Sequence, residues 1–275
     1  MKRIIVFYFY KDFAVCENRL RILQFYNPET QIFGLFGGED KQFPAVKRRL
    51  RSQLQDLYCV TGRTSEWKWK NHDLALNLWY REQGKDINFD VLHLIEWDLL
   101  LFESVSKLYK NIPANGVGLA WLTPLSKIEW EWDWTRHPLH RTEWKELLQH
   151  ARDRYQYTQE PYGCLSIGPC LPRGFLEKYC TMQVPELCHV ELRLPLFSQI
   201  LGFRLYDTGF YRKEEKNLFN ADKKEIEATA IETELSDASG RRVFHPFYGT
   251  FTPDKFGNWK GAATRNLLYY PPPIH

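Results

Sequence analysis

The stretch Val91–Phe102, VLHLIEWDLLLF, constrains this chain more than any other. It is apolar almost throughout, yet it carries Glu96 and Asp98 with Trp97 between them. Val91–Ile95, with β-branched residues at both ends, predicts a buried strand. An unpaired carboxylate inside a core is expensive. The strand must therefore deliver both acids to its end, where something compensates them. Two arrangements do so: a bound cation, or a helix starting near Leu99 whose N-terminus Asp98 caps. The residues Leu99–Tyr109 read as such a helix.

The surrounding pattern sets where that strand end lies. Ile4–Phe9 reads as a first strand. AVCENRLRILQFY follows with near-helical spacing of Val15, Leu20, Ile22, Leu23 and Tyr26. QIFGLFGG reads as a second strand ending in Gly37-Gly38, a loop where backbone can approach a ligand closely. Pro44 opens a helix that runs to Leu57, and HDLALNLWYREQG forms another that stops at Gly84. Strands alternating with helices predict an α/β chain with a mostly parallel central sheet flanked by helices. Open parallel sheets bind ligands beyond the carboxyl ends of their strands. Glu96 and Asp98 fall at such an end.

The pattern changes past Leu122, toward a smaller, mixed β region. KIEWEWDWTRHPLH alternates Trp130, Trp132 and Trp134 with acids, as a half-buried strand face or as a platform for an acceptor sugar. A polar amphipathic helix covers Arg141–Tyr157. GCLSIGPCLPRGFLEKYC reads as a Gly/Pro-punctuated loop and a short helix. VPELCHVELRLPLFSQILGF reads as a helix bent at Pro195. RRVFHPFYGTF is strand-like, Lys213–Ser239 is a charged surface segment, and YYPPPIH an extended tail. The reading is of one domain over residues 1–275, with a first half at 1–110, a second at 111–250, and a tail at 251–275.

Composition removes several function classes. A net charge of +3, with acids and bases interspersed, gives no nucleic-acid footprint. No apolar run is long enough to span a bilayer, and MKRIIVFYFYKDF reads as a strand rather than a secretion signal, so a cytoplasmic protein is expected. Six cysteines without a C-x-x-C pair fit reduced thiols; the four at Cys164, Cys170, Cys180 and Cys188 lack the close pairing of a zinc knuckle. The motifs of dinucleotide-binding enzymes, P-loop proteins, zincins and α/β-hydrolases are absent. Two carboxylates one residue apart suit a hard divalent cation, Mn²⁺ or Mg²⁺, shared with a substrate diphosphate.

With EWD at Glu96–Asp98, VFHPF at His245 and HVELRLP at Glu191, the chain resembles the GT-A-fold glycosyltransferases, which transfer sugars from nucleotide-diphosphate donors. Glu96 stands where that family's Asp-x-Asp signature usually has its first Asp. The resemblance implies a GT-A-like single domain, its half at 1–110 binding the nucleotide-sugar and its half at 111–250 the acceptor, with Asp98 on the metal, Glu96 on the ribose or on the metal through water, and His245 on the metal or diphosphate. It implies Glu191 as the general base in an inverting transfer, with Glu186 in reserve. It implies a UDP- or GDP-sugar donor, UDP favoured, and a glycan acceptor. Phe7, Tyr8 and Phe9 would lie near the base and Gly38 near the nucleotide. Lys70, Asn71 and His72 would line its phosphate side.

Each residue also has a plainer reading. The acids could cap a helix, Glu191 could pair with Arg193, and His245 could be a structural histidine. Lys70, Asn71 and His72 could be a solvated helix start. Two other functions stay open. A sugar-phosphate nucleotidyltransferase shares the broad fold, but it would carry a Gly-rich basic loop where this chain has YKDFAVCENR. A non-catalytic carbohydrate-binding protein would use the Trp-rich middle alone.

Overall fold

The computed structural model describes residues 1–211 and 226–262. The strands are β1 (Arg3–Phe9), β2 (Gln31–Phe36), β3 (Leu57–Cys59), β4 (Val91–Glu96), β5 (Leu100–Leu101), β6 (Val117–Pro124), β7 (Tyr162–Pro172), β8 (Leu205–Asp207), β9 (Val243–Phe244), β10 (Thr250–Pro253) and β11 (Trp259–Ala262). Seven of them form one sheet in the order β3-β2-β1-β4-β7-β6-β8. β3, β2, β1 and β4 are parallel neighbours, β7 runs against β4 and β6, and β8 pairs parallel with β6. The expected mixed α/β layout, mostly parallel and flanked by helices, is what forms.

β1 shows why the sheet is buried on both faces. Ile4, Val6 and Tyr8 point into one core, and Ile5, Phe7 and Phe9 into the other. Period-two alternation between two apolar layers is what a parallel strand covered by helices requires. The first core is closed by the helices His72–Glu82, Pro138–Tyr155, Arg173–Tyr179 and Val190–Ile200. The second is closed by Phe13–Tyr26 and Phe43–Leu50.

A buried ion pair locks three helices of the first layer together. Arg193 donates to both carboxylate oxygens of Asp73, at 2.8 and 2.5 Å, and the Tyr179 hydroxyl donates to Asp73 at 2.6 Å. Arg193 also donates to the carbonyls of Leu187 and Cys188. Charges taken out of water need this density of partners, and removing one partner of such a pair is strongly destabilising. The pair also sets the helix that carries Glu191 against the helix that begins at His72. Arg193 thus belongs to Asp73, and Glu191 is left for other partners.

Several expectations need correction. The helix opened by Pro44 ends at Leu50, and Leu57 begins β3, because Leu57 packs under Gly34 and completes the sheet edge. No helix starts at Leu99. Leu100–Leu101 pairs with Val243–Phe244 as β5 and β9, and only one helical turn, Val105–Leu108, follows. The segment read as a loop before Arg173 is the eleven-residue strand β7. Its glycines sit where neighbours press in, Gly163 under the Trp132 ring and Gly168 (φ +58°) under Tyr109 and Leu99. The three tryptophans are not a strand face. They lie in successive turns ending in the helix Asp133–Arg136, with Trp132 buried and Trp130 exposed. Residues 251–262, expected as the start of a tail, lie in the hairpin of β10 and β11. The expected charged segment lies outside the described residues over 213–225, and YYPPPIH lies wholly outside them.

Candidate active site

The site is built on the carboxyl ends of β1 and β4. In their register Tyr8 stands opposite Glu96, so Glu96 shares a sheet face with Tyr8 and points toward the His72 and Glu191 helices. His72 Nε2 lies 3.5 Å from Glu96 Oε1. Asp98 follows one turn on, and its backbone carbonyl accepts a bond from the Phe247 N–H. That bond holds the 245–249 loop over the strand end, and His245 Nε2 comes to 3.6 Å from Asp98 Oδ2. Arg19 braces the same loop from below, donating to the carbonyls of Phe247 and Gly249.

Glu191 enters from the other side. It occupies the first turn of its helix, where a carboxylate is favoured by the helix dipole. One oxygen accepts from the Trp134 indole N–H at 2.7 Å, the other from the Ser166 backbone N–H at 3.1 Å. The Ser166 hydroxyl lies near the same oxygen at 3.5 Å, and it also bonds Glu96. Ser166, on β7, therefore sits between the two glutamates. His189 stacks flat on Trp134, with ring centroids 4.2 Å apart, and Trp69 closes on His189 at 5.1 Å.

The electrostatics follow from crowding acids in a dry place. Burial, then the charges of Asp98 and Glu191, hold Glu96 well above the usual carboxylate range. Burial also opposes ionisation of Asp98, but His245 and the Arg19 charge outweigh it, and its carboxyl titrates below the usual range. Glu96 Oε1 and Asp98 Oδ1 are buried without a hydrogen-bond partner. Most buried polar atoms are paired, and these two lie on acids two residues apart. Burial lowers the Lys11 ammonium, and the Asp98 charge opposes that.

No family model matches the chain, and no curated protein matches it in sequence. Among solved structures it is similar to the galactosyltransferase LgtC in complex with donor and acceptor sugar analogs, at 12% identity and a TM-score of 0.36, over 74% of this chain and 67% of that one. It is also similar to an active-site mutant of LgtC, at 11% identity and a TM-score of 0.35, over 66% of this chain and 60% of that one. The fold is a mixed α/β sheet with a single reversed strand, β7, beside four parallel ones and an acid pair at the end of the fourth.

The residues expected at the site divide cleanly. Glu96, Asp98, Glu191, His245 and His72 come together. Phe7, Tyr8 and Phe9 do not reach a ligand: all three are fully buried, because the aromatic run is the middle of a central strand and fills both cores. The first ring past them with any exposure is Tyr10, edge-on to Trp97. Lys70 is spent on Glu143, whose two oxygens both lie 2.8 Å from its ammonium. Asn71 is buried, donating to the Trp67 carbonyl. Gly38 is held by packing, since a side chain would strike the Phe36 ring, and its carbonyl receives the buried Lys68 ammonium at 2.7 Å. Glu186 pairs with Arg63 and the Trp67 indole on an exposed edge, so it is no reserve for Glu191.

Sequence reasoning missed Ser166 and the Trp134 bond to Glu191. The place of Ser166 depends on β7 being a strand beside β4, and the Trp134 bond on the helix Asp133–Arg136 meeting the helix that carries Glu191. The Gly and Pro of GCLSIGP hid that strand, because they break local propensity while being demanded by close packing.

His72 makes the site's burial testable. Burial lowers its pKa from 6.5 to about 4 despite the Asp73 charge. Between those values the unfolded chain binds the proton and the native one does not, so this contribution falls as pH falls through the window. The loss should reach about 3 kcal/mol by pH 4. Urea unfolding of His72→Gln should lack that part of the acid sensitivity, and an unchanged pH slope would count against a buried, neutral His72.

Proposed function

We propose that the protein is a glycosyltransferase that moves a sugar from a UDP- or GDP-sugar to a hydroxyl of a glycan. The observation that carries this is the convergence of Glu96, Asp98, His245 and Glu191 at the end of β4, with two buried carboxylate oxygens lacking partners.

The donor set fits a divalent metal such as Mn²⁺ or Mg²⁺ bound jointly with a diphosphate. Among the described residues no three His, Cys, Asp or Glu side chains form a metal cluster. Hard cations of this kind need only one or two carboxylates when phosphate oxygens complete the shell. Asp98 would hold it, with His245 beside it and Glu96 behind. When bound, such a cation neutralises the charge that builds on a departing diphosphate.

The remaining work falls to the chain's own groups. The Lys11 ammonium, which the Asp98 charge favours, adds positive charge on the leaving-group side. Glu191, fixed by Trp134 and Ser166, takes the proton from the attacking hydroxyl. Bonds from two N–H groups keep it aimed. Direct attack by that hydroxyl inverts the anomeric centre. Trp134, His189 and Trp69 form an aromatic wall at the base, apt for the C–H face of an acceptor sugar.

Many transferases slowly hydrolyse their donor when no acceptor is present. A screen of UDP- and GDP-sugars with Mn²⁺ should therefore find one donor hydrolysed above the others. Hydrolysis of none, or equal loss without metal, would remove this reading.

A further inference from the structure

The site leaves unexplained a basic and aromatic face on the opposite helical layer. Lys41 to Gln55 contains Lys41, Lys47, Arg48, Arg49 and Arg51 and no acid. The helix Phe43–Leu50 buries Val46 and Leu50 and turns Lys47, Arg48 and Arg49 outward, with Arg51 exposed just beyond. Arg49 is tied to Glu17 and Lys41 to Glu39, but Lys47, Arg48 and Arg51 make no ion pair among the described residues.

This helix lies along one flank of the helix Phe13–Tyr26. The Arg49–Glu17 pair at 2.8 Å and the Gln24 bond to the Gln53 carbonyl at 2.8 Å join the two. The outer ridge of Phe13–Tyr26 presents Arg21 and, one turn on, Phe25, which is 66% exposed. The β10–β11 hairpin lies on the other flank, held by Asn18 to both backbone groups of Phe251 and by the Trp259 indole on the Tyr26 hydroxyl. Trp259 meets Phe25 edge-on at 5.5 Å. At the hairpin's turn Phe256 is 77% exposed beside Lys255. Glu232 faces Lys260 there, and Asp254 is spent on the turn's own N–H groups.

We propose that this face docks the protein on an anionic lipid surface. Cations that lack acids on one side, and exposed aromatics among further cations on the other, match what a membrane interface selects. Lys and Arg are drawn to anionic headgroups, and aromatic rings settle at the headgroup level. Stable attachment of a soluble fold needs two such signals, charge and insertion, and this face has both. Among the described residues no helix is long and apolar enough to cross a membrane, so the contact is peripheral. Lipid is favoured over RNA because Phe25 stands edge-on to both Tyr26 and Trp259, so the central rings pack on one another rather than ranging as flat stacking platforms.

The test is co-sedimentation of the full chain with vesicles of phosphatidylcholine mixed with phosphatidylglycerol, and with phosphatidylcholine alone, at physiological ionic strength. The chain should sediment with the mixed vesicles only. Each cation near the surface contributes roughly fivefold. The triple variant Lys47→Ser, Arg48→Ser, Arg51→Ser should therefore bind at least about fiftyfold more weakly. Phe25→Ser should weaken binding severalfold while leaving its salt dependence unchanged. All of these residues are exposed and remote from Glu96 and Asp98, so donor hydrolysis serves as the folding control. Failure of the wild-type chain to sediment, or equal binding by the triple variant, would overturn the proposal. So would tighter binding of polyuridylate through the same cations, which would make the face a nucleic-acid surface.

Discussion

Replacing Asp98 with asparagine is expected to abolish metal-enhanced nucleotide binding and to lower turnover about a thousandfold or more, the scale of several kcal/mol of charge stabilisation at a leaving group. The substitution keeps size and one acceptor oxygen but removes the charge that His245 and Arg19 favour. The Asp98 carbonyl, which holds the 245–249 loop through Phe247, is backbone and stays in place. The variant should therefore fold. Losing a buried charge also relieves Glu96, whose carboxyl is pushed up first by burial and then by Asp98. The ligand-free melt should consequently change little, because the stability that the favoured Asp98 carboxylate contributes is lost as Glu96 is relieved. A large fall in the ligand-free melt would mean that Asp98 is structural.

Glu191→Gln should separate binding from chemistry. Nucleotide binding should persist, because the diphosphate end of the site is untouched, while turnover falls by roughly 10²–10⁴-fold, the usual contribution of a positioned base. Local geometry adds to the loss. Glutamate accepts from Trp134 with one oxygen and from Ser166 with the other. A carboxamide has a single oxygen, so one of those N–H groups must face an NH₂. Measured kcat and KM would distinguish the two effects, since a lost base lowers kcat alone. An active Glu191→Gln enzyme would remove the base assignment.

The parts of this fold that were legible in sequence are those where burial and local pattern agree. Val91–Ile95 is apolar, β-branched and bounded by acids, and it forms β4 as expected. The helix His72–Glu82 follows its apolar spacing to the predicted stop at Gly84. The failures share a cause. β3, β5 and β7 are strands only because another strand lies beside them: β2 for β3, β9 for β5, and β4 with β6 for β7. Pairing at such separation leaves little local trace, and the Gly and Pro of β7 argue against it. At the site, Asp98 was ambiguous between capping a helix and serving a ligand. The absence of any helix at Leu99 removes the capping reading. The Phe7–Phe9 ladder misled because an aromatic strand in a core and an aromatic wall at a ligand have the same composition. Only the two-sided burial of β1 separates them.

The most direct measurement is the melting temperature of the wild-type chain and of Asp98→Asn with UDP or GDP, each with and without Mn²⁺. A ligand that binds only the native state at a hundred times its Kd stabilises it by about 2.7 kcal/mol, several degrees for a chain of this size. One nucleotide with Mn²⁺ should raise the wild-type melt by that amount, the metal-free pair should shift it little, and Asp98→Asn should show neither. If neither nucleotide moves the wild-type melt with metal present, the acids at the end of β4 do not hold a nucleotide diphosphate, and the transferase reading fails.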